Sequence, residues 1–210
     1  MTQRLVCFGD SITAGKSFPD TQRWTSLLQC DLDTLWPGRY AVYQRGIGGN
    51  TTYDGLMRFA TDVAPFLPAV VLIEFGFNDA SVPVPLQINR CVLPAFRLHL
   101  AEIVRLVRAG GGEPILIANH PIHERAVPNQ GGGCRYIDNF APYQPAIREC
   151  AATCGVPLID LEKQMRAGGV DLGELLADDG LHLALTGNRI YADFLFTALQ
   201  PILESLDAKK

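Results

Sequence analysis

Residues 69–79 read Ala69-Val70-Val71-Leu72-Ile73-Glu74-Phe75-Gly76-Phe77-Asn78-Asp79. The apolar run is continuous rather than alternating, which is the pattern of a strand buried on both faces. It closes on glycine and asparagine, residues that favour a turn. Glu74 interrupts the run, and a carboxylate buried there needs hydrogen-bond partners to be tolerated.

Working outward, comparable apolar runs occupy residues 4–8, 40–45, 114–118 and 156–159. Helical spacing fills the gaps. Residues 23–35 carry Trp24, Leu27, Leu28 and Leu32 on one side, and residues 95–109 carry Phe96, Leu100, Ile103, Val104 and Val107. Gly110-Gly111-Gly112 supplies a stop. Further helices are expected at 140–153 and 187–200, with Thr186 as a helix cap and Pro201 interrupting the last one. Such alternation predicts an α/β fold, a parallel sheet covered on both faces. Ligands bind outside the carboxyl ends of the strands of such sheets, which puts Ser11, Gly49 and Asn78 on one rim. Residues 79–93 and 119–139 follow strand ends as loops and could line that rim. With no repeat and no linker, one domain over 1–210 is expected.

Composition narrows the class. Of 210 residues, 48% are apolar and 19% charged, enough for a sizeable core, and the formal net charge is −4. That balance argues against a nucleic-acid binder, which would present a basic face. The Lys209-Lys210 end reads as a frayed tail. No basic-then-apolar leader and no membrane-length apolar stretch is present, so a cytoplasmic protein without stable membrane insertion is expected. Cys7, Cys30, Cys91, Cys134, Cys150 and Cys154 match no zinc spacing, and a chain of this size needs no disulfide staples. Buried or half-buried thiols are expected.

The chemistry lies in short pieces. Ser11 stands just past the first strand in Gly9-Asp10-Ser11, where its hydroxyl can clear the sheet and its own N–H can face the same point. Asp10 or Ser11 could equally cap a turn. Ser11-Ile12-Thr13-Ala14-Gly15-Lys16-Ser17 ends like a phosphate-binding loop, but that loop needs glycine where Asp10 stands. Gly46-Ile47-Gly48-Gly49 follows the second strand and lacks the last glycine of a dinucleotide fingerprint. Its use is local: glycine lets backbone pass close to a substrate and aim an N–H at it. Asn78 can offer its amide N–H to the same place.

Asp179-Gly180-Leu181-His182 completes the set. Within a turn, the carboxylate can reach one imidazole nitrogen while the other faces outward. Among the other histidines, His99 reads as a surface helix residue. His120 and His123, with Cys134 beyond them, lack a third and fourth zinc ligand. Phe77, His120, Ile122 and Tyr136 are candidate substrate contacts on the loops.

Together these blocks resemble the GDSL or SGNH hydrolase family: Phe8-Gly9-Asp10-Ser11, Gly46-Ile47-Gly48-Gly49-Asn50-Thr51, Gly76-Phe77-Asn78-Asp79 and Asp179-Gly180-Leu181-His182, in that order. The resemblance covers residues 4 to 199. It implies a three-layer α/β/α sandwich with a five-stranded parallel sheet in flavodoxin-like order. It also implies Ser11 as nucleophile, His182 as base, Asp179 as its partner, and an oxyanion hole from Ser11 N–H, Gly49 N–H and the Asn78 side chain. The expected activity is metal- and cofactor-independent hydrolysis of small carboxylic esters, of acetyl or short acyl chains. A lysophospholipase or thioesterase, or a ligand-binding module without turnover, are the alternatives.

Overall fold

Five of the apolar runs become strands: β1 (Gln3–Gly9), β2 (Tyr40–Gly46), β3 (Val70–Glu74), β4 (Glu113–Ala118) and β5 (Leu158–Asp160). The computed structural model describes residues 2–127 and 130–208. Pro128 of the 119–139 loop and the Lys209-Lys210 tail fall outside that range.

The strands form one parallel sheet in the order β2-β1-β3-β4-β5. This is the flavodoxin-like order, whose strand sequence reverses between β1 and β3. All five residues of β3 are buried, as the unbroken Val70–Ile73 run requires. Helices α2 (Trp24–Leu35) and α10 (Leu185–Asp207) pack together over the sheet. A second series, α3 (Thr52–Asp62), α5 (Leu93–Ala109) and α7 (Tyr143–Cys154), covers the other face. The helix expected over 95–109 appears as α5, with all five of its predicted core residues buried.

Local chemistry corrects several boundaries. The helix expected over 140–153 is α7, which starts only at Tyr143; Phe140 instead ends a separate short helix, α6 (Tyr136–Phe140), and Pro142, which has no N–H to continue it, precedes α7. Thr186 does not cap α10. Ala184 holds that position, and the Thr186 hydroxyl donates to the Glu174 carbonyl at 2.6 Å. Pro201 does not interrupt α10, which runs on to Asp207. The proline forfeits one backbone bond, while fully buried Leu199 and Leu203 hold the helix against the core on either side. Helix α3 was not expected, although Thr51 and Asp54 form a capping box at its start. The short α8 (Leu161–Ala167) and α9 (Leu172–Leu175) were likewise missed.

The thiols are less uniform than expected. Cys7, Cys91 and Cys150 are buried and Cys154 is half-buried, but Cys30 and Cys134 are exposed. Among the described residues no helix is long and apolar enough to cross a membrane.

Candidate active site

At the carboxyl end of β1 the backbone turns directly into α1 (Ser11–Ala14). Asp10 caps this short helix, its Oδ1 accepting the Ile12 N–H at 2.9 Å. The turn is tight enough that a Cβ on Gly9 would stand 2.3 Å from Thr13 Oγ1 and 2.5 Å from the Glu74 carbonyl. Trp24 locks the far side: its indole N–H donates to the Ile12 carbonyl at 2.8 Å, and its backbone N–H to Asn188 Oδ1 at 3.0 Å. Because Asn188 belongs to α10, these bonds fix the chain preceding α10 against Ser11.

That chain carries the Asp-x-x-His turn. His182 Nε2 lies 2.9 Å from Ser11 Oγ, and His182 Nδ1 lies 2.6 Å from Asp179 Oδ2. The other carboxylate oxygen, Oδ1, accepts the N–H groups of Leu181 and His182, each at 2.9 Å. Partial burial pushes the Asp179 carboxyl up, but the imidazole and these two N–H groups outweigh it and hold it below the usual carboxylate range. An ionised Asp179 accepts from Nδ1–H, which leaves Nε2 bare to accept the serine proton.

The turn rests on His120. Its Nε2 donates to the Leu181 carbonyl at 2.9 Å, and its ring packs against Phe77 and Tyr191. Complete burial pushes its pKa down to about 4, so this imidazole is neutral at physiological pH. The His123 N–H adds a bond to the Gly180 carbonyl at 2.9 Å. The 119–139 loop therefore supports the Asp-x-x-His turn from beneath. Phe77, His120, Ile122 and Tyr136, expected as substrate contacts, are all buried in packing. Apolar loop residues sat equally well facing inward, and Tyr136 Oη is committed to the Phe77 carbonyl at 2.6 Å.

Gly49 and Asn78 reach the rim from the ends of β2 and β3, which flank β1. Gly49 adopts φ +80°, a left-handed conformation that strains any residue with a Cβ. A Cβ on the preceding Gly48 would lie 3.8 Å from Ser11 Cβ, which places this loop against the serine. Arg58 of α3 braces it, donating to Asn50 Oδ1 at 2.7 Å, the Arg45 carbonyl at 2.9 Å and the Gly9 carbonyl at 2.8 Å. Among the described residues, neither the Ser11 nor the Gly49 N–H has an acceptor within the protein. Asn78, in α4 (Phe77–Ala80), donates one Nδ2 hydrogen to Asp10 Oδ2 at 3.1 Å and has a second to spare. Buried Asp79 accepts the Thr52 N–H at 2.9 Å, tying α4 to the start of α3 and so to the glycine loop. His99, expected at the surface, is half-buried and bonded to Thr52 Oγ1 at 3.1 Å.

Glu74 has its partners. Asn119 Nδ2 donates to Oε1 at 2.6 Å and Thr13 Oγ1 to Oε2 at 2.9 Å. Burial, then the Asp10 charge, push its carboxyl well above the ordinary range, and a side-chain hydrogen bond to Asp10 adds to the rise. Burial raises Asp10 as well, to about 7, against the Ile12 N–H and the Asn78 amide. Both carboxyls are thereby biased toward their protonated forms. Beside Ser11 and His182 opens a cavity of about 210 Å³, walled by Ile12, Phe18 and Leu183.

A hydroxyl bonded to a neutral imidazole, itself bonded to a carboxylate, can shed its proton as it attacks an electrophilic carbon. Idle N–H groups alongside can receive the negative charge that develops. Comparison with known proteins identifies the family. The model of the GDSL-like lipase/acylhydrolase family matches residues 7–190. Esterase TesA of Pseudomonas aeruginosa is 32% identical, covering 96% of this chain and 90% of its own. An uncharacterized lipoprotein of Bacillus subtilis, YqeF, is 30% identical over 89% and 85%. The crystal structure of a lipase/acylhydrolase from Enterococcus faecalis superposes with a TM-score of 0.75 at 30% identity, covering 93% of this chain and 94% of that one. The chain belongs to the GDSL-like lipase/acylhydrolase family.

Proposed function

We propose that this protein is a serine esterase that cleaves small carboxylic esters through an acyl-enzyme. The observation that carries the reading is the unbroken chain Ser11 Oγ, His182 Nε2, His182 Nδ1, Asp179 Oδ2, with links of 2.9 and 2.6 Å. Ser11 Oγ attacks the ester carbonyl while His182 Nε2 takes its proton. Asp179 stabilises the imidazolium that results. The carbonyl oxygen, now negative, lies among the Ser11 N–H, the Gly49 N–H and the free hydrogen of Asn78 Nδ2. Collapse expels the alcohol, protonated by His182, and leaves an ester on Ser11. Water then attacks that ester with His182 again as base.

Short acyl groups fit the site best. The 210 Å³ cavity falls below the roughly 300–1,000 Å³ that hold a drug-sized ligand. A panel of p-nitrophenyl esters from acetate to dodecanoate tests both claims. Turnover should fall as the chain lengthens, and Ser11→Ala should lower kcat by on the order of 10⁶. Wild-type protein that hydrolyses none of the panel, or a Ser11→Ala variant that keeps its turnover, would overturn the proposal.

A further inference from the structure

The Asn78 side-chain amide is held from both ends. Its Nδ2 faces the Asp10 carboxylate, and its Oδ1 faces the Arg90 guanidinium, with Nη1 at 3.5 Å. An amide turned by 180° about its last bond would present oxygen to the carboxylate and NH₂ to the cation. The Arg90 contact would then be repulsive, so the guanidinium favours the orientation in which Oδ1 faces it and Nδ2 faces Asp10. That orientation leaves the second Nδ2 hydrogen directed away from Asp10. At 3.5 Å the Arg90 contact is longer than a tight hydrogen bond, and its effect is that of a charge on a dipole. It draws electron density toward Oδ1 and makes the N–H a stronger donor.

Arg90 is exposed, but the backbone that carries it is firmly placed. Around it the chain folds back onto α4 and is bonded there residue by residue. Asn89 Nδ2 donates to the Ala80 carbonyl at 2.7 Å, the Arg90 N–H to the Ser81 carbonyl at 2.8 Å, and the Cys91 N–H to the Asp79 carbonyl at 3.1 Å. Tyr143 Oη closes the set, donating to the Cys91 carbonyl at 2.6 Å. The only competing anion in reach among the described residues is Asp54, at 4.0 Å.

We infer that Arg90 is a positioning residue for ester hydrolysis, holding and polarising the Asn78 amide so that its free N–H meets the oxyanion. This inference rests on the serine-esterase reading above. Because Arg90 acts through Asn78, its contribution exists only while Asn78 is present.

The test is a four-enzyme cycle on p-nitrophenyl acetate: wild type, Arg90→Gln, Asn78→Ala and the double variant, with Arg90→Lys alongside. Asn78→Ala should lower kcat by roughly 10²–10³, the loss expected for one oxyanion donor. Arg90→Gln should lower kcat about 10-fold with KM little changed, since the interaction serves the transition state. Arg90→Lys should recover part of that loss. In the Asn78→Ala background, Arg90→Gln should change kcat less than twofold. Equal losses in both backgrounds would overturn the inference and mark Arg90 as a direct substrate contact or a general structural residue. An Arg90→Gln enzyme with wild-type kcat would overturn it too. Wild-type turnover from Asn78→Ala would remove the three-donor oxyanion reading itself, and Arg90 with it, so the two failures are distinct.

Discussion

Replacing Glu74 separates two accounts of the carboxyl pair beneath Ser11. Glu74 is 1% exposed, accepts from Asn119 and Thr13, and touches Asp10. Glu74→Ala strands the Asn119 amide, the Thr13 hydroxyl and one side of Asp10. At about 1–3 kcal/mol for each buried group left unpaired, and with Thr13 free to rotate, the remaining two should cost roughly 2–6 kcal/mol. That is a large share of the ~5–15 kcal/mol that hold a typical domain together. Glu74→Gln behaves differently if Glu74 is protonated in the folded protein. The Gln oxygen accepts from Asn119, its NH₂ donates to Asp10 as the acid did, and the Thr13 hydroxyl turns to accept. The cost should stay within about 1.5 kcal/mol. The pH dependence has a definite sign. A carboxyl whose folded pKa lies above its ordinary 4.5 makes the protein lose stability as pH rises from that value through the folded one. Glu74→Gln removes this loss, so its stability relative to wild type should climb with pH above about 4.5. Urea unfolding at pH 5, 6, 7 and 8, followed by tryptophan fluorescence, reads all three proteins. A Gln variant as unstable as the Ala variant, with a gap independent of pH, would show that Glu74 is ionised and refute the reasoning.

Two other substitutions probe the rim. Gly49→Ala must place a Cβ at φ +80°, costing about 1–2 kcal/mol of stability and moving the N–H. Its kcat on p-nitrophenyl acetate should drop by at least about 10-fold with the urea midpoint only modestly lowered, and an unchanged kcat would remove Gly49 from the oxyanion hole. Asp179→Asn keeps the shape but offers NH₂ or a neutral oxygen to Nδ1, so kcat should drop by up to about 10⁴. A loss under 10-fold would mean that His182 needs no anionic partner.

What could be read from the chain and what could not divide along physical lines. Val70–Ile73 announces a strand buried on both faces because burial on two sides demands an unbroken apolar run. Ser11, Gly49 and Asn78 were placeable because each follows such a run, and the sheet rule puts strand ends together. Asp179 and His182 lie in one turn, so their pairing is local. The Thr51–Asp54 box was equally local, and α3 could have been read from it. Glu74 could not be explained, because Thr13 and Asn119 lie 61 and 45 residues away in sequence. His120 was misjudged for the same reason, its acceptor Leu181 being 61 residues distant. Phe77, Ile122 and Tyr136 show a different gap: an apolar residue in a loop suits a substrate or the core equally, and only packing decides. Arg90 carries no pattern at all; its meaning comes from a backbone fold that sequence periodicity does not register.

The most direct measurement is covalent capture of the nucleophile in folded, native protein. Incubation with a fluorophosphonate probe, followed by peptide mapping with mass spectrometry, should find a single adduct, on Ser11. The adduct should vanish in His182→Ala protein that still unfolds cooperatively. Folded wild-type protein that takes up no probe, or an adduct on another residue with Ser11 unmodified, would contradict the assignment of Ser11 as the activated hydroxyl.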